Sequence, residues 1–127
     1  MGHHDHKALD EMSAKFRPWL EERMKSQQYL AWLTESDDGK IVAGAGLWIM
    51  DWPPHMIGTQ ARRGNALNFY TVPEFRRRGL ARRLMETLLA WCRENSLEVL
   101  ILHASKEGRP LYESLGFEAT NEMRLLL

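Results

Sequence analysis

The segment Phe69-Tyr70-Thr71-Val72-Pro73-Glu74-Phe75-Arg76-Arg77-Arg78-Gly79-Leu80-Ala81 limits the fold of this chain more than any other. Its aromatic and β-branched residues read as the end of a strand that begins near Asn65, and Pro73 closes that strand. A turn containing Gly79 follows. From Leu80 to Asn95 the chain carries its clearest helix pattern, with Ala81, Leu84, Met85, Leu88, Leu89, Trp91 and Cys92 on one apolar face. An amphipathic helix entered directly from a strand buries that face against the sheet the strand belongs to.

The flanking sequence extends the pattern. Leu9, Met12, Phe16, Trp19, Leu20 and Met24 recur at helical spacing and predict a helix over 8–25. Pro18 either kinks it or opens a second helix. Residues 28–35 and 40–52 read as strands joined by the hairpin signal Ser36-Asp37-Asp38-Gly39. Pro53-Pro54 ends the second, and 55–64 is a loop. Beyond the long helix, 97–103 reads as a buried strand, 109–115 as a short helix stopped by Gly116, and Phe117 onward as a strand or hairpin. The order predicts an α/β (α+β) chain with a mixed sheet flanked by helices.

At 127 residues the chain has room for one core, so 1–127 is read as a single domain, with the polar, histidine-bearing residues 1–7 as a disordered or added terminus. No apolar run approaches the roughly 20 residues a spanning helix needs, and the first residues do not read as a secretion signal. The single Cys92 excludes an intramolecular disulfide and predicts a cytoplasmic protein. On the apolar face of the long helix it reads as a small hydrophobe rather than a nucleophile. His3, His4 and His6 lack Cys or carboxylate partners at ligand spacing in a folded segment, so no metal is expected.

Lys+Arg and Asp+Glu both number 17, which argues against nucleic acid or a membrane surface as partner. The balance conceals one focus. Residues 60–83 hold Arg62, Arg63, Arg76, Arg77, Arg78, Arg82 and Arg83 against Glu74 alone. Such a cluster reads either as a solvated face or as a site for one small polyanion. Its place at a helix start favours the second reading. The first turn of a helix presents unpaired N–H groups and the positive end of the dipole, and Gly79 and Ala81 let a ligand approach the backbone. The spacing matches neither the Walker nor the three-glycine dinucleotide pattern.

Phe69 to Ala81 resembles the acetyl-CoA signature of the GNAT superfamily of N-acetyltransferases, with Arg76, Gly79 and Ala81 in its fixed positions. Ala104 to Phe117, with Leu111-Tyr112 ahead of Gly116-Phe117, resembles the late motif of the same family, one helix and one strand downstream. The resemblance implies a mainly antiparallel GNAT-like sheet and an N-acetyltransferase moving an acetyl group from acetyl-CoA to an amine by direct attack in a ternary complex. A non-catalytic acyl-CoA-binding or sensing module is the alternative. It also implies roles. Backbone amides from Arg77 through Gly79, Leu80, Ala81 and Arg82 would hold the pyrophosphate, with Arg77, Arg78 and Arg82 supplying charge. The strand edge Phe69, Tyr70, Thr71 would pair with the pantetheine arm, and an N–H near Tyr70 would polarise the acetyl carbonyl. Tyr112 falls where a general acid is common, and a phenol near pKa 10 suits a departing thiolate. The bland reading of Tyr112 is an aromatic on a short helix, packed under the C-terminal strand.

The chain departs from the family pattern in three places. The usual first strand is missing or shortened, which leaves a sheet edge that a homodimer would cover. Asn65 stands near the position where many relatives carry a glutamate base. Ser105 stands where an asparagine commonly holds the pantetheine arm; it can bind that arm or cap the helix. Replacement bases are His55, His103, Asp51 and Glu107, or solvent takes the proton before binding. His103 also reads as a packed, hydrogen-bonded histidine. Trp48, Asp51, His55 and Asn68 are the expected acceptor-side residues, with Trp52 beside them.

Overall fold

The computed structural model describes residues 6–53 and 61–127, with side chains from residue 14 onward. Its elements are α1 (His6–Lys25), β1 (Tyr29–Glu35), β2 (Ile41–Asp51), β3 (Arg62–Thr71), α2 (Leu80–Glu94), β4 (Leu100–Leu102) and α3 (Arg109–Ser114), with a single 3-10 turn over Pro73–Phe75. The strands form one mixed sheet in the order β1-β2-β3-β4. β1 to β3 pair antiparallel, and β4 lies parallel to β3. Pro18 sits inside α1, which runs as one helix.

Strand alternation sorts the sheet into two faces. On one, Ala43, Ala45 and Leu47 of β2 and Ala66 of β3 meet Leu84, Met85, Leu88 and Cys92 of α2. The alanines let the helix lie close to the sheet. Leu47, Met85 and Leu88 are fully enclosed, each worth about 1.5–3 kcal/mol of burial. On the other face α1 is held by an aromatic cluster. Trp19 stands edge-on to Tyr29 and to Trp48, with ring centroids 6.1 and 5.2 Å away.

The second half of the chain is less regular than its pattern predicts. The strand expected over 97–103 reduces to Leu100–Leu102. Leu97 is taken by the end of α2, where its N–H donates to the Cys92 carbonyl at 2.9 Å. The strand or hairpin expected from Phe117 does not form. Residues 117–127 carry no ladder, and Phe117 instead closes α3. The N–H of Gly116 donates to the Glu113 carbonyl and that of Phe117 to the Tyr112 carbonyl, both at 3.1 Å. With Gly116 at φ 100° this is a Schellman cap, and the ring contact between Phe117 and Tyr112 (centroids 5.9 Å apart) supplies its apolar component.

Candidate active site

The site begins where β3 bulges against β2 and parts from β4. Gly46 pairs with Leu67 and Gly44 with Tyr70, so β3 spans three residues where β2 spans two. The extra residue is a bulge, with Asn68 at φ 57°, a left-handed conformation that asparagine tolerates better than most. The bulge changes the phase of alternation. Leu67 and Tyr70 share the α1 face although three apart, while Phe69 turns to the α2 face with Ala66. On the opposite edge, β3 and β4 pair only through Gly64–Leu100, Asn65–Ile101 and Ala66–Leu102. Beyond these pairs a cavity of about 250 Å³ lies between them, lined by Leu67, Asn68, Phe69, His103, Ser105 and Tyr112.

A second cavity, of about 290 Å³, lies between the end of β3, the start of α2 and α3. Phe69, Tyr70, Thr71, Arg76, Ala81 and Tyr112 line it, together with Leu84, Gly108 and Leu111. Phe69 and Tyr112 thus border both cavities. Local chemistry fixes the turn at its mouth. The Arg76 Nε donates to the Thr71 carbonyl at 3.2 Å, bracing the turn on the strand end. Arg77 (φ 64°) and Gly79 (φ 77°) are both left-handed, and no side chain caps α2. The first-turn amides of α2 are left without a side-chain acceptor, in a setting that favours an anion.

The arginines divide into two kinds. The Arg82 Nη2 donates to the Ser114 Oγ at 2.7 Å, and that hydroxyl donates to the Leu111 carbonyl at 2.6 Å, so Arg82 ties α2 to α3 across the mouth. Arg78 lies 4.7 Å from the Phe75 ring. The ion pairs among the described residues, Lys40–Asp38 and Arg109–Glu113, involve no arginine of the 76–83 run. Among the described residues no carboxylate pairs with the arginines of that run, which are exposed.

Tyr112 is set from three sides. Its ring stands edge-on to Phe69, packs on Phe117 through the cap, and lies over Gly108, where an added Cβ would come within 2.9 Å of Cε2. Burial raises its pKa above the ordinary phenol value, so the proton is held. Ser105 accepts a hydrogen bond on its Oγ from the Gly108 N–H at 3.0 Å, and so steadies the residue that Tyr112 packs on.

The other expected residues are scattered. His103 is exposed at the end of β4 and lines the cavity shared with Asn68. Trp48 lines neither cavity and packs against Trp19. Asp51 ends β2 and Glu107 precedes α3, both exposed and outside both cavities. His55 lies outside the described residues, as do His3 and His4. Trp52 stacks under the Arg63 guanidinium. Asn65 is half-buried, and its Oδ1 has no hydrogen-bond partner among the described residues. Sequence reasoning missed Gly108 and Leu111 in the groove and Tyr29 behind it. Gly108, four residues before Tyr112, carried the one usable signal, since i,i+4 neighbours stack on a helix.

The model of the Acetyltransferase (GNAT) family matches residues 3–117. Among curated proteins no match is found. Among solved structures, a GCN5-related N-acetyltransferase from Ralstonia eutropha JMP134 is 36% identical, with TM-score 0.89 over 98% of this chain and 81% of its own. A predicted acetyltransferase with acetyl-CoA from Clostridium acetobutylicum is 26% identical, with TM-score 0.84 over 96% and 83%. An acetyltransferase from Trypanosoma brucei is 28% identical, with TM-score 0.69 over 84% and 74%. With both sequence segments, the parted strands and these likenesses in agreement, the chain belongs to the GNAT acetyltransferase family.

Proposed function

We propose that the chain is an acyl-CoA-dependent N-acyltransferase, transferring an acetyl group from acetyl-CoA to a primary amine in a ternary complex in the cytoplasm. The observation that carries this reading is the pair of cavities meeting at Phe69 and Tyr112. One opens beside an uncapped helix start with exposed arginines, which suits the CoA pyrophosphate. The other is lined by Asn68, His103 and Ser105, polar groups that suit an amine.

In this reading the first-turn amides of α2, with Arg77 and Arg78, hold the pyrophosphate, and Arg82 keeps the groove at its width. The β3 edge over Phe69–Thr71 orients the thioester. The amine nitrogen attacks the carbonyl carbon, the C–N bond forms and the C–S bond breaks. Tyr112, which burial keeps protonated, gives its proton to the departing sulfur. Among the candidate bases within the described residues, His103 lines the amine-side cavity, and it takes the proton released from nitrogen.

The test is release of CoA thiol from acetyl-CoA across polyamines, amino acids, aminoglycosides and N-terminal peptides. Release stimulated by one amine class is expected. Acetyl-CoA binding with no stimulated release would instead support a non-catalytic acyl-CoA sensor.

A further inference from the structure

Tyr29, at the start of β1, is buried to 5% exposure yet stands outside the core cluster. Its side chain crosses β2 on the α1 face and reaches β3. The crossing depends on Gly46, where an added Cβ would lie within 2.6 Å of the Tyr29 Cζ and closer still to its oxygen. On the far side, the Asn68 Nδ2 donates to the Tyr29 Oη at 2.9 Å. Trp19 of α1 covers the phenol ring edge-on. β1 and β3 are thus joined through one hydroxyl at the bulge, across β2 and beneath α1.

That bulge sets the geometry of both cavities. It turns Phe69 toward Tyr112 and lies beside the point where β3 and β4 cease to pair. A bulge in a strand with one free edge can slide or flatten, because no ladder partner fixes the extra residue. Asn68 is also the residue in the left-handed conformation, so a hydrogen bond to its side chain bears directly on the strained position.

We propose that Tyr29 is a positioning residue: through Asn68 it pins the β3 bulge, and so holds Phe69 and the neighbouring strand edge in the register that acyl transfer requires. The transfer part rests on the function proposed above; the pinning of the bulge does not.

The variants are Tyr29→Phe, which removes the hydroxyl and keeps the ring, Asn68→Ala, and the double variant, each checked for folding by thermal melting. In Tyr29→Phe, amide hydrogen exchange is expected to rise about tenfold or more at Asn68, Phe69 and Tyr70 while Leu47 and Leu88 remain protected. With an amine that supports turnover, kcat falls about tenfold to a hundredfold and the KM for acetyl-CoA stays within threefold. The double variant is expected to be no worse than Asn68→Ala, as for two residues acting through one contact. Unchanged exchange at 68–70, or additive losses in the double variant, would overturn the proposal. Absence of turnover in the parent would remove the function reading alone, because the exchange measurement still decides whether Tyr29 pins the bulge.

Discussion

The ring of Phe69, on β3, stands edge-on to that of Tyr112, on α3, with centroids 6.3 Å apart and planes at 73°. Each ring adjoins a local irregularity in the chain. Phe69 reaches this face through the bulge at Asn68, and Tyr112 is held by the Schellman cap at Gly116 and Phe117. Their contact forms the boundary between the two cavities.

Tyr112→Phe keeps this contact and removes the proton donor. We expect kcat to fall about a hundredfold, with acetyl-CoA affinity within twofold of the parent. Burial disfavours the phenolate, which places the folded-state pKa above the ordinary value. The basic limb of kcat in the parent should therefore lie above about pH 10, where the phenol loses its proton. An unaltered kcat in Tyr112→Phe would remove the acid from the mechanism.

Gly79→Ala probes the turn. Open space surrounds the position, so an added methyl meets no atom and the penalty is conformational. A left-handed φ costs an alanine about 1 kcal/mol. Because the same residue opens α2, acetyl-CoA binding should weaken along with the melting temperature. Calorimetric titration beside a melt measures both, and a change in stability with no change in binding would separate the turn from the ligand.

The face under α2 should behave as an ordinary close-packed core. Leu88→Ala removes a fully enclosed side chain between helix and sheet. Chemical denaturation should show a loss of about 2–5 kcal/mol. A loss below 1 kcal/mol would mean that α2 does not pack as described.

Cys92 offers a check from chemical reactivity. It is enclosed in the core, and burial pushes its thiol up to about 11. The neutral thiol is favoured, so at pH 8 both access and thiolate fraction are low. Iodoacetamide should leave Cys92 unmodified in the native protein and alkylate it in denaturant. Rapid alkylation of the native chain would contradict the core assignment.

How far the sequence could be read depended on whether a feature was local. The turn at Arg76–Ala81 and the helix after it were legible, because a strand closed by proline, a left-handed glycine and a 3.6-residue apolar period are each encoded within a few positions. The hairpin at Ser36–Gly39 was legible for the same reason, and its Gly39 has φ 83°. The bulge was not. Nothing in Leu67-Asn68-Phe69-Tyr70 announces an extra residue, since the excess exists only relative to β2. The fit of Tyr29 over Gly46 is not legible on the same ground, the two being 17 positions apart and joined only across strands. Phe117 was misread because an aromatic after glycine fits a strand start as well as it fits the last position of a helix cap. Trp48, expected on the acceptor side, meets Trp19 instead, a contact that required knowing where α1 lies.

In the proposed function, the groove between the end of β3 and the start of α2 receives acetyl-CoA beside Tyr112. Calorimetric titration of the purified chain with acetyl-CoA, repeated at several salt concentrations, tests it most directly. Saturable binding at one site is expected, competitive with CoA, weakening as salt rises and weaker again in the Arg77→Ala/Arg78→Ala variant. A folded protein that gives no saturable binding at any salt concentration would contradict it.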